Sequence, residues 1–155
     1  MSIKQLPDSY SRSVAGEWIN GACGGNHLNA SWKLNPKYAL KFRESNLGAP
    51  PVRSRIVLSR HGEAWNKRKK DTIGCMIGFY IFIVNEKEGG EMRQVYESIF
   101  APDETVFTPA DFTFEQLGPD EEYVIMPTTF LEDKKGAFIL SITTDSEYTL
   151  IKKDK

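Results

Sequence analysis

Residues 73–84 form the most hydrophobic segment of the chain and read Ile-Gly-Cys-Met-Ile-Gly-Phe-Tyr-Ile-Phe-Ile-Val. Apolar residues occupy both of its alternating faces, which is typical of a strand that is buried on both sides. The periodicity alone also allows a buried helix, but two glycines and many Ile, Phe, Tyr and Val residues favour a strand. The segment therefore predicts a central β-strand.

Shorter strand-like segments lie on both sides of this segment. Residues 52–59 alternate between an apolar face and a face that carries two arginines, so the arginines are expected to point away from the core. Further strands are predicted at 38–42, 93–99, 105–107, 112–114, 122–126, 137–143 and 148–151. Pro127 is expected to end the strand before it, and a turn is predicted within residues 109–117.

The order of these segments predicts the fold class. Parallel strands need long crossovers, usually helices, and the sequence shows no convincing amphipathic helix. We therefore predict an all-β fold, an antiparallel β-sandwich of about eight strands. Residues 1–13 have little apolar content and are predicted to form a flexible N-terminal lead-in, and residues 14–155 a single sandwich domain.

The composition is that of a soluble globular domain. The chain has 155 residues, of which 40% are hydrophobic and 26% charged, and this excludes disordered, fibrous and membrane-embedded classes. Cys23 and Cys75 are too few for a disulfide framework and do not form a CxxC pair, so a reducing compartment is expected. The N-terminus shows no apolar signal core, and we predict a cytoplasmic protein.

Charge is unevenly distributed along the chain. The formal net charge of -1 argues against nucleic acid as a partner. Residues 53–70 nevertheless contain seven Lys or Arg and one Glu, whereas residues 97–133 contain ten Asp or Glu and no Lys or Arg. Such a separation can steer partners, or it can complement itself across the two sheets.

Six short motifs occur in an order that resembles one protein family. They are Gly16-Glu17-Trp18, Gly24-Gly25, Asn35-Pro36-Lys37-Tyr38, Ile77-Gly78-Phe79, Tyr123-Val124-Ile125-Met126-Pro127 and Gly136-Ala137-Phe138-Ile139-Leu140. Together they resemble the calpain family, specifically domain III. That domain is the C-two-like β-sandwich that follows the papain-like protease core.

The resemblance implies a non-catalytic regulatory or interaction domain. Such a domain would stabilise the protease core of a calpain-like cysteine endopeptidase and bind protein partners or anionic lipid. The chain looks closer to calpains that end in sandwich domains than to calcium-switched calpains. The alternative is an autonomous lipid- or protein-binding module that is unrelated in action to proteolysis.

Several motif residues also have a local physical interpretation. Gly24 and Gly25 are expected to allow positive φ or a close backbone approach. Asn35-Pro36 predicts an extended residue at the start of a strand. Trp18 and Trp32 are interpreted as packing residues rather than as ligand stackers.

The sequence predicts no catalytic residue. Cys23 and His27 could form a thiol–imidazole pair, but the motif around a papain-like nucleophile is missing, so a thiol enzyme is only a minor hypothesis. Cys75 is expected to be a buried thiol inside the central strand. Residues 60–62 are similar to the Arg-His-Gly of histidine phosphatases, but we interpret them as a turn between strands. Residues 88–91 are interpreted as a hairpin turn rather than a nucleotide loop.

No cofactor or metal site is predicted either. Two acidic turns, at residues 120–122 and 132–133, could meet at one edge and hold calcium through carboxylate oxygens. They are more often solvated surface, however, and residues 43–51 contain one carboxylate where calcium-switched calpains carry a long acidic run. Calcium is therefore disfavoured.

The basic segment at residues 60–70 is the predicted contact surface. Its predicted partner or lipid contacts are Arg60, Trp65, Lys67, Arg68, Lys69 and Lys70. Basic residues near an anionic membrane contribute about 1 kcal/mol each, and the tryptophan suits a headgroup boundary. The segment could equally dock on an acidic protein, pair with the acidic half of the chain, or remain a solvated loop.

Overall fold

The structure is a computed structural model that describes residues 10–19, 21–43, 48–61, 75–102, 105–132 and 134–153. Within these residues the chain forms ten strands and no α-helix, which confirms the all-β prediction. The strands are β1 (Tyr10–Trp18), β2 (Lys37–Phe42), β3 (Val52–His61), β4 (Ile77–Asn85), β5 (Met92–Glu97), β6 (Thr105–Phe107), β7 (Thr113–Phe114), β8 (Glu121–Thr129), β9 (Gly136–Thr144) and β10 (Tyr148–Lys153). A short 3-10 turn, Glu86–Glu88, follows β4.

The strands form two antiparallel sheets. The first sheet has the order β1-β9-β3-β6, and β7 also pairs with β3. The second sheet has the order β10-β2-β8-β4-β5. The predicted antiparallel β-sandwich is therefore confirmed.

The core lies between the two sheets and is built from alternating side chains. On β3 the buried positions alternate with the exposed Arg53 and Arg55, as the sequence predicts. Fully buried residues from both sheets meet in this core, among them Trp18, Leu40, Ile56, Phe79, Ile125, Phe138 and Leu140. Removing this apolar surface from water is the main stabilising term of the sandwich.

Strand β4 is buried on both of its faces, as its composition predicts. Phe79 and Ile81 face the core, while Tyr80 and Phe82 belong to a second apolar cluster on the outer face of the second sheet. The strand begins at Ile77, later than predicted, and Cys75 lies in a turn before it although its side chain is buried. The first two residues of the predicted strand, at 73 and 74, are outside the described residues.

Strand β1 is the strand that the sequence analysis missed. It begins at Tyr10, inside the predicted lead-in, and pairs with β9 along its whole length. The hydroxyl of Ser11 lies 3.0 Å from that of Thr143, and Ser13 lies 2.7 Å from Ser141. These cross-strand pairs stabilise a serine-rich segment that looks unstructured by composition. Residues 1–9 of the predicted lead-in lie outside the described part of the chain.

Strand β8 continues through Pro127 to Thr129, so the prediction that Pro127 ends it is wrong. Phe79 lies opposite Pro127 on β4, and both of its backbone groups bond to Ser98 on the other side: its carbonyl accepts from the Ser98 amide at 2.9 Å, and its amide donates to the Ser98 hydroxyl at 2.8 Å. The nitrogen of Pro127 therefore faces away from β4, where the pairing of β8 with β2 has already ended at Ile125. No ladder hydrogen bond is lost, because proline stands where a donor is not required.

The predicted turn within residues 109–117 is present in a shorter form. The amide of Phe112 donates to the carbonyl of Pro109 at 3.1 Å, and β7 starts at the next residue. The residues around Gly89 and Gly90 connect β4 to β5 with positive φ, in agreement with the predicted hairpin turn.

Candidate interaction surface

The outer face of the second sheet is covered by the connection between β1 and β2, which we call the covering loop and define as residues 21–36. The ring of Trp32 packs against Phe82 with centroids 5.8 Å apart. The ring of His27 stacks on the ring of Tyr80 with centroids 5.1 Å apart, and the backbone amide of His27 donates to the Tyr80 hydroxyl at 3.1 Å. The covering loop thereby buries the second apolar cluster.

The two neighbouring glycines and one buried asparagine hold the covering loop in shape. Asn35 accepts a hydrogen bond from the amide of Gly24 and donates to the carbonyls of Gly25 and Trp32. A Cβ on Gly24 would lie 1.8 Å from the carbonyl oxygen of Ser31, and Gly25 has a φ of +77°. Both predicted roles of the glycine pair, close approach and positive φ, are therefore observed.

A groove of about 860 Å³ lies beside the covering loop. Its apolar lining comprises Trp32, Val84, Met92 and Val124, with the exposed Ile19 and Leu34 also along it. Its charged lining comprises Lys33, Lys37, Lys152 and Lys153, together with Glu17, Glu86 and Glu91. The groove thus joins apolar surface to a cluster of ammonium groups. Trp32 packs as predicted, and it also contributes to this surface.

Lys37 is a buried lysine that lines the groove, with 8% of its surface exposed. Its ammonium donates to the carbonyl of Lys33 and, at 3.2 Å, to the carbonyl of Asn35. Burial lowers the pKa of Lys37, and the positive charges of Lys153 and Lys33 lower it further. The positive charges of Lys33 and Lys153 therefore act on the Lys37 ammonium at this end of the groove.

Lys153 lies at the same end of the groove and forms ion pairs with two glutamates. Its ammonium lies 2.9 Å from Glu122 and 3.6 Å from Glu86. Burial by itself lowers the pKa of Lys153, but the hydrogen bond and charge of Glu122, and then Glu86, outweigh burial and raise it. Lys153 is accordingly a structural cation, whereas Lys33 and Lys152 remain exposed.

Arg60 is the one member of the predicted contact set that the structure describes. Its guanidinium donates to the carbonyl of Pro102 and, at 2.5 Å, to the carbonyl of Cys75. Arg60 therefore connects the end of β3 to the residues just before β4. The other predicted contacts lie outside the described residues, and they are Trp65, Lys67, Arg68, Lys69 and Lys70. Their role in partner or lipid contact stays a prediction.

The structure places the residues of the minor thiol-enzyme hypothesis in packing roles. Cys23 is buried in the main core with 5% exposure. The ring of His27 is stacked on Tyr80, and His61 is exposed at the end of β3. Cys23 therefore packs in the apolar core, and His27 packs against an aromatic ring of the second apolar cluster.

The acidic turns are engaged with different parts of the molecule. Asp120 lies 3.4 Å from Lys87, Glu122 pairs with Lys153, and Glu132 accepts a hydrogen bond from Ser31 at 2.6 Å. Asp133 lies outside the described residues. Among the residues that the structure describes, no three His, Cys, Asp or Glu side chains form a group that could hold a metal ion.

The fold and the groove together define a class of protein, namely a β-sandwich domain with an amphipathic groove on the outer face of one sheet. Residues 14–143 match the family described as calpain large subunit, domain III. The chain belongs to this family, as the motifs in its sequence indicate. Domain III is a non-catalytic domain of calpain proteases. No helix in the described part of the chain is long and apolar enough to cross a membrane.

Two curated relatives match most of the chain. Calpain-10 from Macaca fascicularis is 31% identical over 136 residues, which is 84% of this chain and 19% of that protein. Serine/threonine-protein kinase 4 homolog B from Dictyostelium discoideum is 26% identical over 148 residues, which is 94% of this chain and 12% of that protein. The chain therefore spans less than a fifth of the length of either relative.

A solved structure of Bacillus endospore appendages, described as a novel family of disulfide-linked pili, also matches. It covers 92% of this chain and 96% of its own, at 11% identity and a TM-score of 0.30. A TM-score this low supports no inference about the present chain.

The groove is the feature that the sequence analysis missed. Its basic residues stand as two short pairs in the sequence, Lys33 and Lys37 in one region and Lys152 and Lys153 in another. The dipeptides Trp32-Lys33 and Lys152-Lys153 are signals of exposed charge near apolar surface, but only the pairing of β10 with β2 brings them together. The longest basic run in the sequence lies instead in the segment at residues 60–70.

Proposed function

We propose that the chain is a non-catalytic interaction domain that binds protein partners and, within a calpain-like cysteine protease, stabilises the protease core. The groove is the observation that carries this proposal, because it combines exposed apolar side chains with charged groups beside the second sheet. Surfaces of this kind bury apolar area while polar groups select the partner.

The two curated relatives support a binding role. By their names, one is a calpain and the other is a serine/threonine-protein kinase. Proteolysis and phosphoryl transfer need different catalytic groups, so a segment that both share suits a common binding or regulatory task. The low cysteine count agrees with a cytoplasmic setting.

A selection of random peptides displayed on phage tests the proposed function, with the immobilised chain as bait. We expect enriched sequences whose synthetic peptides bind in solution, with dissociation constants in roughly the micromolar range. Calorimetric titration measures these constants. If no sequence is enriched above the bare support, the proposal of a partner-binding domain is contradicted.

The second candidate function is binding to an anionic membrane surface. In this case the chain would be an autonomous lipid-binding module whose action is unrelated to proteolysis. The cationic segment at residues 60–70 favours it. The guanidinium of Arg60, at the start of this segment, donates to the carbonyl of Cys75, which follows the segment in the chain. Liposome co-sedimentation with residues 67–70 changed to Ser or Gln tests it. We expect weaker binding to vesicles that contain phosphatidylserine. Unchanged binding, or no binding by the parent chain, would exclude the lipid function.

A further inference from the structure

We propose that the groove binds an extended peptide segment of a partner protein in which a carboxylate side chain stands next to apolar side chains. This inference rests on the proposed function and specifies its ligand. The carboxylate would lie at the end of the groove formed by Lys33 and Lys37, and the apolar side chains would lie on Trp32 and Met92.

The ammonium of Lys37 supplies the first argument. An ammonium has three donors, and two of those of Lys37 are used by the carbonyls of Lys33 and Asn35. Among the described residues, the structure shows no acceptor for the third donor. An anion in the groove would fill this place and would offset the mutual repulsion of Lys37, Lys33 and Lys153.

The apolar lining supplies the second argument. Trp32 is half-buried, and the ammonium of Lys33 lies 5.4 Å from the centre of its ring. Leu34 and Ile19, with 55% and 47% of their surfaces exposed, extend the apolar surface along the groove. A ligand that complements this lining needs apolar groups beside its charge, and an extended peptide with alternating side chains provides them.

The shape and the mixed charge of the groove favour a peptide over a membrane. The groove is concave, whereas a bilayer presents a nearly flat surface. Glu17, Glu86 and Glu91 also line it and would repel a continuous anionic surface. A single carboxylate can be placed among the lysines while the rest of a peptide avoids the glutamates.

The composition of the phage-selected peptides gives the first test. We expect enrichment of Asp or Glu next to Leu, Ile, Phe or Trp. Replacing the acidic residues of a selected peptide by Asn or Gln should weaken its binding about tenfold, because a charge-assisted hydrogen bond is lost. Enriched peptides that bind equally well as Asn or Gln analogues would overturn the groove inference and leave the binding function intact.

Charge reversal on the protein gives the second test. Lys33 and Lys41 are both exposed lysines, but only Lys33 lines the groove. We expect Lys33→Glu to weaken acidic-peptide binding about tenfold or more and Lys41→Glu to change it by less than about twofold. Circular dichroism of both variants checks that each is folded. Equal effects of the two variants, or displacement of the peptide by vesicles of phosphatidylcholine with phosphatidylserine, would overturn the inference.

Discussion

Burial changes the chemistry of Tyr123, which lies on β8 and faces the core with 3% exposure. Its ring packs against Phe114 with centroids 4.6 Å apart, and its hydroxyl donates to the carbonyl of Glu115 at 2.7 Å. Burial, and then the negative charge of Glu115, raise the pKa of Tyr123 from 10.0 to about 12. The folded state therefore favours the neutral phenol.

This raised pKa predicts a specific pH dependence of stability. The contribution of neutral Tyr123 is fully present below its ordinary pKa of 10.0 and is lost as the pH rises toward about 12. We expect Tyr123→Phe to be about 1 kcal/mol less stable than wild type near pH 8, because it loses one hydrogen bond. Between pH 10 and about 12 the wild type should lose roughly 2–3 kcal/mol relative to the variant, and the order should reverse.

Urea unfolding at a series of pH values measures this prediction. The informative quantity is the difference in the free energy of unfolding between wild type and Tyr123→Phe, because the other buried tyrosines are common to both proteins. A difference that stays constant from neutral pH to the alkaline end would contradict the assignment of a raised pKa to Tyr123.

Among the structural elements, the covering loop contains a close backbone approach at Gly24. A comparison of Gly24 with Gly21 separates the effect of close backbone approach from the effect of a positive φ. A Cβ on Gly24 would lie 1.8 Å from the carbonyl oxygen of Ser31, whereas a Cβ on Gly21 would meet no atom within 4 Å although its φ is +83°. Substitution at Gly24 therefore tests steric approach, and substitution at Gly21 tests backbone strain.

We expect Gly24→Ala to lower the free energy of unfolding by about 3 kcal/mol, because the carbonyl of Ser31 must move. Gly21→Ala should cost only about 1 kcal/mol, which is the strain of a positive φ in alanine. Chemical denaturation of the two variants measures both values. Similar losses in the two proteins would show that close packing of the covering loop does not limit stability.

At the level of the whole molecule, strand β8 separates the acidic turns, because residues 120–122 lie at its start and Glu132 follows its end. Asp120, Glu122 and Glu132 are bound to Lys87, Lys153 and Ser31 respectively. A calcium ion requires six to eight oxygen ligands at about 2.3–2.6 Å. To provide them, these carboxylates would have to leave their present partners.

We therefore expect millimolar calcium to leave the thermal unfolding midpoint of the chain unchanged relative to a chelator. Differential scanning fluorimetry with calcium, with magnesium and with the chelator alone measures this midpoint. A stabilisation by calcium that magnesium does not reproduce would indicate a specific site and would contradict the expectation, since a ligand that binds the folded state raises its stability.

Most strands could be predicted from the sequence because their signal is local. The alternation in β3 and the apolar faces of β4 follow from the geometry of a single extended chain. The Gly24-Gly25 pair is another local signal, because close approach and positive φ both exclude a side chain. The resemblance to calpain domain III rests on the same kind of short, ordered motif.

The amino-acid sequence alone was sufficient for the fold class, the family and the outward direction of the β3 arginines. Three other features depend on contacts between distant residues: the passage of β8 through Pro127, the pairing of β1, and the groove. The lysines at positions 33, 37, 152 and 153 become neighbours only because β2 and β10 pair. Sequence periodicity reports which face a side chain occupies, but the register of the sheets decides which side chains meet.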